Sequence, residues 1–310
     1  MNRSRTLTRV VLITAAISVG ALGVAALIGL VTNGFNGNQI GRGGITVDDR
    51  KTGSLDGIEL VAIETASEDV NILEGTGESL EARLHGTAGT DSPQNLPKLT
   101  VERSGSTLTV RLYPEKTFGL GLHWNNLVLD VSVPKGSAKK LSVKTASGNI
   151  HVTGESYAAL VLTTASGDAA VETVTAPEFS MRTSSGTLSA VSVAATHAEL
   201  SSVSGDIRIK ALAGDSTLHS TSGTVNVAFT VVPSRIDASS TSGDVILKLP
   251  ADGQFLLDAD STSGDVTCRF PITISKSATG GGRHALSGAV GGGSGQVAAR
   301  TVSGNIRIEN

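Results

Sequence analysis

A single phrase, hydroxyl-x-Ser-Gly-polar-apolar-x-apolar, recurs from Thr145 to Ile308 and constrains the fold more than any other feature of the chain. Its glycines are Gly148, Gly167, Gly186, Gly205, Gly223, Gly243, Gly264 and Gly304, so successive steps measure 19, 19, 19, 18, 20, 21 and 40 residues. A period near twenty means that one short unit is laid down repeatedly, each copy covering the apolar side of its neighbours. The doubled last step predicts two rungs, one of them degraded.

Aligned on the glycine, each column has one physical task. Two and four residues after it stand Ile150/Val152, Ala169/Val171, Leu188/Ala190, Ile207/Ile209, Val225/Val227, Val245/Leu247, Val266/Cys268 and Ile306/Ile308, the alternation of a strand with one buried face. His151, Arg208, Asn226, Thr267 and Arg307 alternate with them, followed by Lys210 and Lys248, and predict a solvated outer face that Ala170 and Ile246 interrupt. Five residues before the glycine, Val143, Leu162, Met181, Leu200, Leu218, Ala238, Ala259 and Ala299 predict a second inward-facing strand.

Three residues before the glycine every copy carries a hydroxyl: Thr145, Thr164, Thr183, Ser202, Ser220, Ser240, Ser261 and Thr301. Strand parity buries them, and a bond to the equivalent hydroxyl one rung away, roughly 4.8 Å distant, is the expected compensation. A serine precedes each glycine: Ser147, Ser166, Ser185, Ser204, Ser222, Ser242, Ser263 and Ser303. These Ser-Gly pairs predict a tight corner in which the glycine takes a positive φ. The Asn, Asp or Thr that follows is expected to bond the local backbone.

Aromatic residues at 3% and 37 glycines imply a narrow core of small aliphatics. The expected fold is therefore all-β, a β-solenoid (single-stranded β-helix-like) of ~20-residue coils preceded by one N-terminal transmembrane helix. The scarcity of aromatics and a formal charge of -3 exclude a nucleic-acid platform. Cys268 falls in an inward column and reads as a small buried hydrophobe, with no disulfide framework possible.

Arg3, Arg5 and Arg9 precede an uncharged stretch from Val10 to Val31, which as a helix spans about 33 Å, enough for a bilayer core. The positive flank predicts a cytoplasmic tail over 1–9, a transmembrane helix or signal anchor over 10–31 and an exported remainder. Without the three arginines, 22 basic face 28 acidic residues, a balance of -6. Small residues around Ala21-Leu22-Gly23 keep open the alternative of a cleaved signal peptide and a secreted domain. Residues 32–44, rich in Gly and Asn, read as a flexible linker. The remainder, 45–310, divides into an irregular part over 45–144 and the regular repeats over 145–310.

In the irregular part, strand patterns fall at Ile58–Ile63, Val70–Leu73, Leu80–Leu84, Leu99–Val101, Leu108–Leu112 and Leu127–Val133. Hairpin excursions are expected near Pro93–Pro97 and Lys116–Asn126. Ser67-Glu68-Asp69-Val70-Asn71-Ile72 reads as a rung whose glycine is lost, so this part is expected to start and cap the same stack. The glycine triplets at 280–282 and 291–293 lack the Gly-Lys-Ser/Thr ending of a phosphate loop and read as a tight excursion.

Catalytic constellations are missing from the pattern. His85, His123, His151, His197, His219 and His284 have neither metal-ligand spacing nor a visible partner acid, and no Gly-x-Ser-x-Gly elbow occurs. Asp168, Asp206, Asp244 and Asp265 follow repeat glycines; Asp244 and Asp265, on consecutive copies, leave open a weak Ca²⁺ site, although two corner carboxylates supply few of the six to eight oxygens it needs. The expectation is a protein without catalytic residues, cofactor or metal.

The phrases Thr145-Ala146-Ser147-Gly148-Asn149-Ile150, Ser202-Val203-Ser204-Gly205-Asp206-Ile207 and Thr301-Val302-Ser303-Gly304-Asn305-Ile306 resemble those of the bacterial putative-adhesin domains of unknown function, over roughly 45–310. The resemblance implies a membrane segment ahead of a β-solenoid ectodomain. It supplies no catalytic residues. Its implied function is a membrane-anchored, non-enzymatic surface scaffold that binds an envelope glycan or a protein partner. An envelope-stress sensor acting through a membrane partner is the alternative, and a polysaccharide-active enzyme a third reading. The C-terminal strand at Ile306–Ile308 is expected to be the last edge of the stack, open to edge-to-edge self-association.

Overall fold

The computed structural model describes residues 44–89, 96–113, 124–278 and 284–310. The expected membrane segment and linker lie outside the described residues. Among the described residues the protein is all-β, and no helix is long and apolar enough to cross a membrane.

Seven strands form the irregular part: β1 (Ile45–Ser54), β2 (Leu60–Glu64), β3 (Asp69–Gly75), β4 (Ser79–Gly89), β5 (Lys98–Ser104), β6 (Thr107–Tyr113) and β7 (Trp124–Pro134). The repeats follow as β8 (Lys140–Lys144), β9 (Ile150–Val152), β10 (Glu155–Ser156), β11 (Ala159–Thr163), β12 (Ala169–Thr175) and β13 (Glu178–Thr183). In β14 (Leu188–Ser202) and β15 (Ile207–Ser220) the post-corner strand of one coil runs straight into the pre-corner strand of the next. The chain ends with β16 (Val225–Phe229), β17 (Arg235–Ser240), β18 (Val245–Lys248), β19 (Phe255–Ser261), β20 (Val266–Cys268), β21 (Ile272–Ala278), β22 (His284–Val290), β23 (Gly295–Thr301) and β24 (Ile306–Glu309).

Pre-corner strands stack in parallel as one ladder, in which Leu162 lies between Val143 and Met181, and Leu200 between Met181 and Leu218. Post-corner strands make a second, in which Ile207 lies between Leu188 and Val225. A short third ladder joins Val174, Val193 and Leu212, then Phe229. All three turn their apolar columns onto one core. Val143, Leu162, Met181, Leu200 and Leu218 from the first, and Leu188, Ile207, Val225 and Val245 from the second, are fully buried. Each such side chain stabilises the stack by roughly 1.5–3 kcal/mol.

The irregular part closes the N-terminal end with antiparallel pairing. β1 pairs with β4, β4 with β7 and β5 with β6, whereas β2 and β3 run parallel to β8 and β9 and belong to the stack. The Glu68 coil behaves as a repeat without its glycine: Val70 pairs with Ile150, and Ala66 accepts the amides of Ala146 and Ser147. There the buried Glu68 carboxylate accepts from the Ala66 and Ser67 amides at 3.3 and 3.1 Å.

At the other end the chain departs from the expected order. The Gly304 coil does not follow the Gly264 coil in space; it lies between the Gly243 and Gly264 coils. β23 pairs with β17 on one side and β19 on the other, and β24 with β18 and β20. Among the described residues the long last step holds no degraded rung; part of it is the antiparallel hairpin β21–β22, whose β22 lies along β19. After Val290 the chain steps over the start of β19. Gly291 and Gly293 take positive φ there, and Gln254 receives the Gly292 amide on its Oε1 and the Gly295 amide and Ser294 hydroxyl on its carbonyl. Ile306–Ile308 is consequently an interior strand. The final strand of the second ladder is β20, where Val266 and Cys268 are only half-buried, so Cys268 is not the enclosed hydrophobe its column predicts. Phe270 plugs this end edge-to-face against Phe255, with ring centroids 5.2 Å apart.

Candidate binding surface at the Ser-Gly corner

The corner joins the two long ladders and carries the hydroxyl, serine and glycine columns of the repeat. None of the eight repeat glycines takes a positive φ. Their necessity is proximity: a Cβ on Gly167 would collide with the carbonyl oxygen of Gly148, and one on Gly186 with that of Gly167. The same collision recurs at Gly205, Gly223 and Gly243, at Gly304 of the inserted coil and at Gly264 beyond it, while Gly148 meets the carbonyl of Glu68. The glycine column is therefore a line of backbone contact between coils.

The buried hydroxyls bond backbone rather than one another, several of them in both directions: Thr164 Oγ1 donates to the Gly148 carbonyl at 3.2 Å and accepts the Gly167 amide at 3.0 Å. Thr183, Ser220 and Ser240 repeat both bonds with their own glycine and the one before. Thr145 accepts the Gly148 amide and Ser202 the Gly205 amide. In the reordered coils, Thr301 donates to Gly243 and Ser261 to Gly304. A hydroxyl beside a glycine amide and a facing carbonyl gains more from those buried groups than from a second hydroxyl, because it satisfies two that would otherwise stay unpaired.

The column after the glycine also bonds across coils rather than locally. Asn149 Oδ1 accepts the Asp168 amide at 2.9 Å, Asp168 the Thr187 amide at 2.7 Å, and Asp206 the Thr224 amide at 2.7 Å. Asp244 then accepts from Asn305, and Asn305 from Asp265. Asp244 and Asp265 are thus separated by the inserted Asn305. The Ca²⁺ reading of the pair fails on that spacing, and Asp244 is further occupied by Arg307 Nη1 at 2.8 Å. Among the described residues no group of three metal-ligating side chains converges.

What remains outward at the corner is the serine column. Ser147, Ser166, Ser185, Ser204, Ser222, Ser242, Ser263 and Ser303 are all exposed, in eight consecutive coils. Their amides pair with the preceding coil, as Ser185 N does with Ala165 O at 3.0 Å and Ser222 N with Val203 O at 2.9 Å. Among the described residues their hydroxyls have no protein partner. The result is a row of solvated hydroxyls, one per coil, at the strand spacing of about 4.8 Å. On the first ladder beside it run Arg182 and Glu199, paired at 2.7 Å, and Arg300 with Asp258 at 3.1 Å; on the second, the exposed Lys210 and Lys248.

Among the described residues the histidines lie on separate strands, four of them beside an acid or a hydroxyl. His85 Nε2 lies 2.8 Å from Asp130, an acid that sequence reasoning could not pair with it because antiparallel β4–β7 pairing brings them together. The cross-strand neighbours of His85 are Asp48 and Val128. His151 faces Glu172 at 3.4 Å, His219 Nδ1 meets Ser239 Oγ at 3.0 Å, and His284 lies 3.2 Å from Asp265. His123 lies outside the described residues. A shallow depression of about 370 Å³ at the N-terminal end, between Ile58, Glu78 and Ser137, includes Glu59, which already pairs with Lys139 at 3.3 Å.

A family model described as Toastrack DUF4097 matches residues 58–309. No curated protein matches the chain. Among solved structures, a putative adhesin from Bacteroides fragilis NCTC 9343 is similar at 12% identity and a TM-score of 0.44, over 86% of this chain and 100% of that one. A putative adhesin from Parabacteroides distasonis ATCC 8503 is similar at 11% identity and a TM-score of 0.44, over 86% and 97%. A protein from the same organism described as a putative lipid binding protein is similar at 12% identity and a TM-score of 0.40, over 86% and 98%.

Proposed function

The chain belongs to the Toastrack DUF4097 family, and from that premise we propose that it is a membrane-anchored, non-enzymatic surface β-solenoid whose corner binds a repeating envelope polymer. The observation that carries this reading is the exposed serine row. A rigid line of equivalent hydroxyls, each able to donate once and accept twice, presents the same contact at every coil. Such a surface suits a ligand that also repeats, and a hydroxyl-rich glycan offers complementary donors and acceptors. Individually weak contacts then sum along the row, because the first coil engaged holds the polymer at high effective concentration for the next.

The apolar stretch over 10–31 supports the anchor, with the domain exported and held off the bilayer by residues 32–44. The test is retention of the full chain, in detergent, on isolated cell-envelope fractions and on soluble glycans over a salt series. Saturable binding that survives high salt supports hydroxyl-mediated glycan recognition. No binding to any envelope fraction, with capture by a membrane protein instead, would replace this reading with that of a sensor. Hydrolysis or elimination of a bound glycan would replace it with an enzyme.

A further inference from the structure

The inserted coil has a consequence beyond ligand binding. The Gly243 and Gly264 coils are 21 residues apart in sequence, an ordinary step, yet the connection Leu249–Gln254 carries the chain across two coil spacings, roughly 10 Å. Between them lies a slot two strands wide, filled by β23 and β24. Its occupant buries Val297, Ala299, Ile306 and Ile308 almost completely.

The bonds that hold the occupant are those of the repeat. Thr301 Oγ1 donates to Gly243 O at 2.9 Å and Asn305 N to Asp244 Oδ1 at 2.8 Å; on the far side Ser261 Oγ donates to Gly304 O at 2.8 Å and Asp265 N to Asn305 Oδ1 at 3.0 Å. Arg307 with Asp244 and Arg300 with Asp258 and Asp237 add contacts from side chains that travel with the segment, and Thr267 Oγ1 of the far wall donates to Ile306 O at 3.3 Å. Nothing in the slot distinguishes this chain's own C-terminal coil from that of an identical chain. During synthesis both walls exist before the segment that fills them, an order of events in which repeat proteins exchange elements.

We propose that the slot between the Gly243 and Gly264 coils accepts the C-terminal segment His284–Glu309 of a second copy, so that two copies complete each other's core by reciprocal exchange. The exchanged dimer keeps the pairings of β22 with β19 and β21, and of β23–β24 with the slot walls, whichever chain supplies them. The balance is then set by protein concentration.

Asp237 pairs with Ala298 and Ser239 with Arg300 on adjacent outward positions of β17 and β23, within reach of a disulfide. Two tagged full-length copies, each carrying Cys268→Ser, are co-expressed, one with Asp237→Cys and the other with Ala298→Cys. A disulfide between the two tags requires the segment of one in the slot of the other. We expect an interchain band that grows with protein concentration and exceeds that from a copy carrying Ser189→Cys on the second ladder. The Ser239→Cys and Arg300→Cys pair repeats the test should the first pair perturb folding. Exchange is overturned if a single chain bearing both cysteines closes internally while the mixed copies give no band above that background at any concentration.

Discussion

The Thr301 hydroxyl donates to the carbonyl oxygen of Gly243 at 2.9 Å across 58 residues of chain. That bond has the form found between neighbouring repeats, where Thr183 donates to Gly167 at 3.3 Å and takes the Gly186 amide at 3.0 Å. Thr183→Val keeps shape and burial but strands a carbonyl and an amide inside the stack. The expected cost is about 2–5 kcal/mol, read as a fall in urea midpoint at unchanged slope. An unchanged midpoint would show that the hydroxyl column is dispensable.

Glycine in the corner is required by contact between coils, which separates two kinds of substitution. Gly186→Ala places a Cβ against the Gly167 carbonyl, and neither backbone can move without breaking both ladders. We expect a loss of at least about 3 kcal/mol, at the upper end of overpacking effects. Gly105→Ala, in the β5–β6 turn with φ +60 and open space around it, is expected to cost only about 1–2 kcal/mol. Equal losses at the two sites would remove the distinction.

The apolar and hydroxyl columns were legible in the sequence because a strand's inward parity leaves a period-2 trace that every copy repeats. The reason for the glycine was not. A Ser-Gly pair is compatible with a positive φ or with a close approach, and only the neighbouring coil decides between them. Nor could the order of the last two coils be read, because Thr301–Ile308 and Ser261–Cys268 spell the same phrase and either stacks on Val245. In the inserted order the larger pair, Ile306/Ile308, is fully buried and the smaller Val266/Cys268 is half-buried at the end. The exposed serines were visible as a column, but their solvation follows from the buried hydroxyl two residues earlier having already satisfied the corner's backbone.

Asp244 gives the inserted coil a pH dependence. Burial pushes its carboxyl up, but the Asn305 amide, the Arg307 guanidinium and the Asn305 side chain together outweigh this and hold it below the ordinary carboxylate value. A carboxyl lowered in the folded state contributes stability above its unfolded pKa, near about 3.9, and loses it as pH falls through the folded value. Asp244→Asn can keep an acceptor for Asn305 while removing the charge facing Arg307. The variant should therefore melt below the parent at neutral pH, and the gap should narrow as pH falls below about 4. A gap independent of pH would mean that the charge contributes nothing.

The serine row separates stability from binding. Ser166, Ser185, Ser204 and Ser222 are exposed, and their amides, not their hydroxyls, pair with the preceding coil. Replacing all four by alanine leaves those backbone bonds in place, and each change should alter stability by no more than about 0.5 kcal/mol. Retention on envelope glycan should nevertheless fall steeply, because removing four consecutive contacts interrupts a multivalent row at its centre. Lys210→Gln with Lys248→Gln, on the neighbouring face, should change only the salt dependence of retention. If the alanine variant binds as the parent does and the lysine variant does not, the ligand lies on the second ladder rather than along the corner.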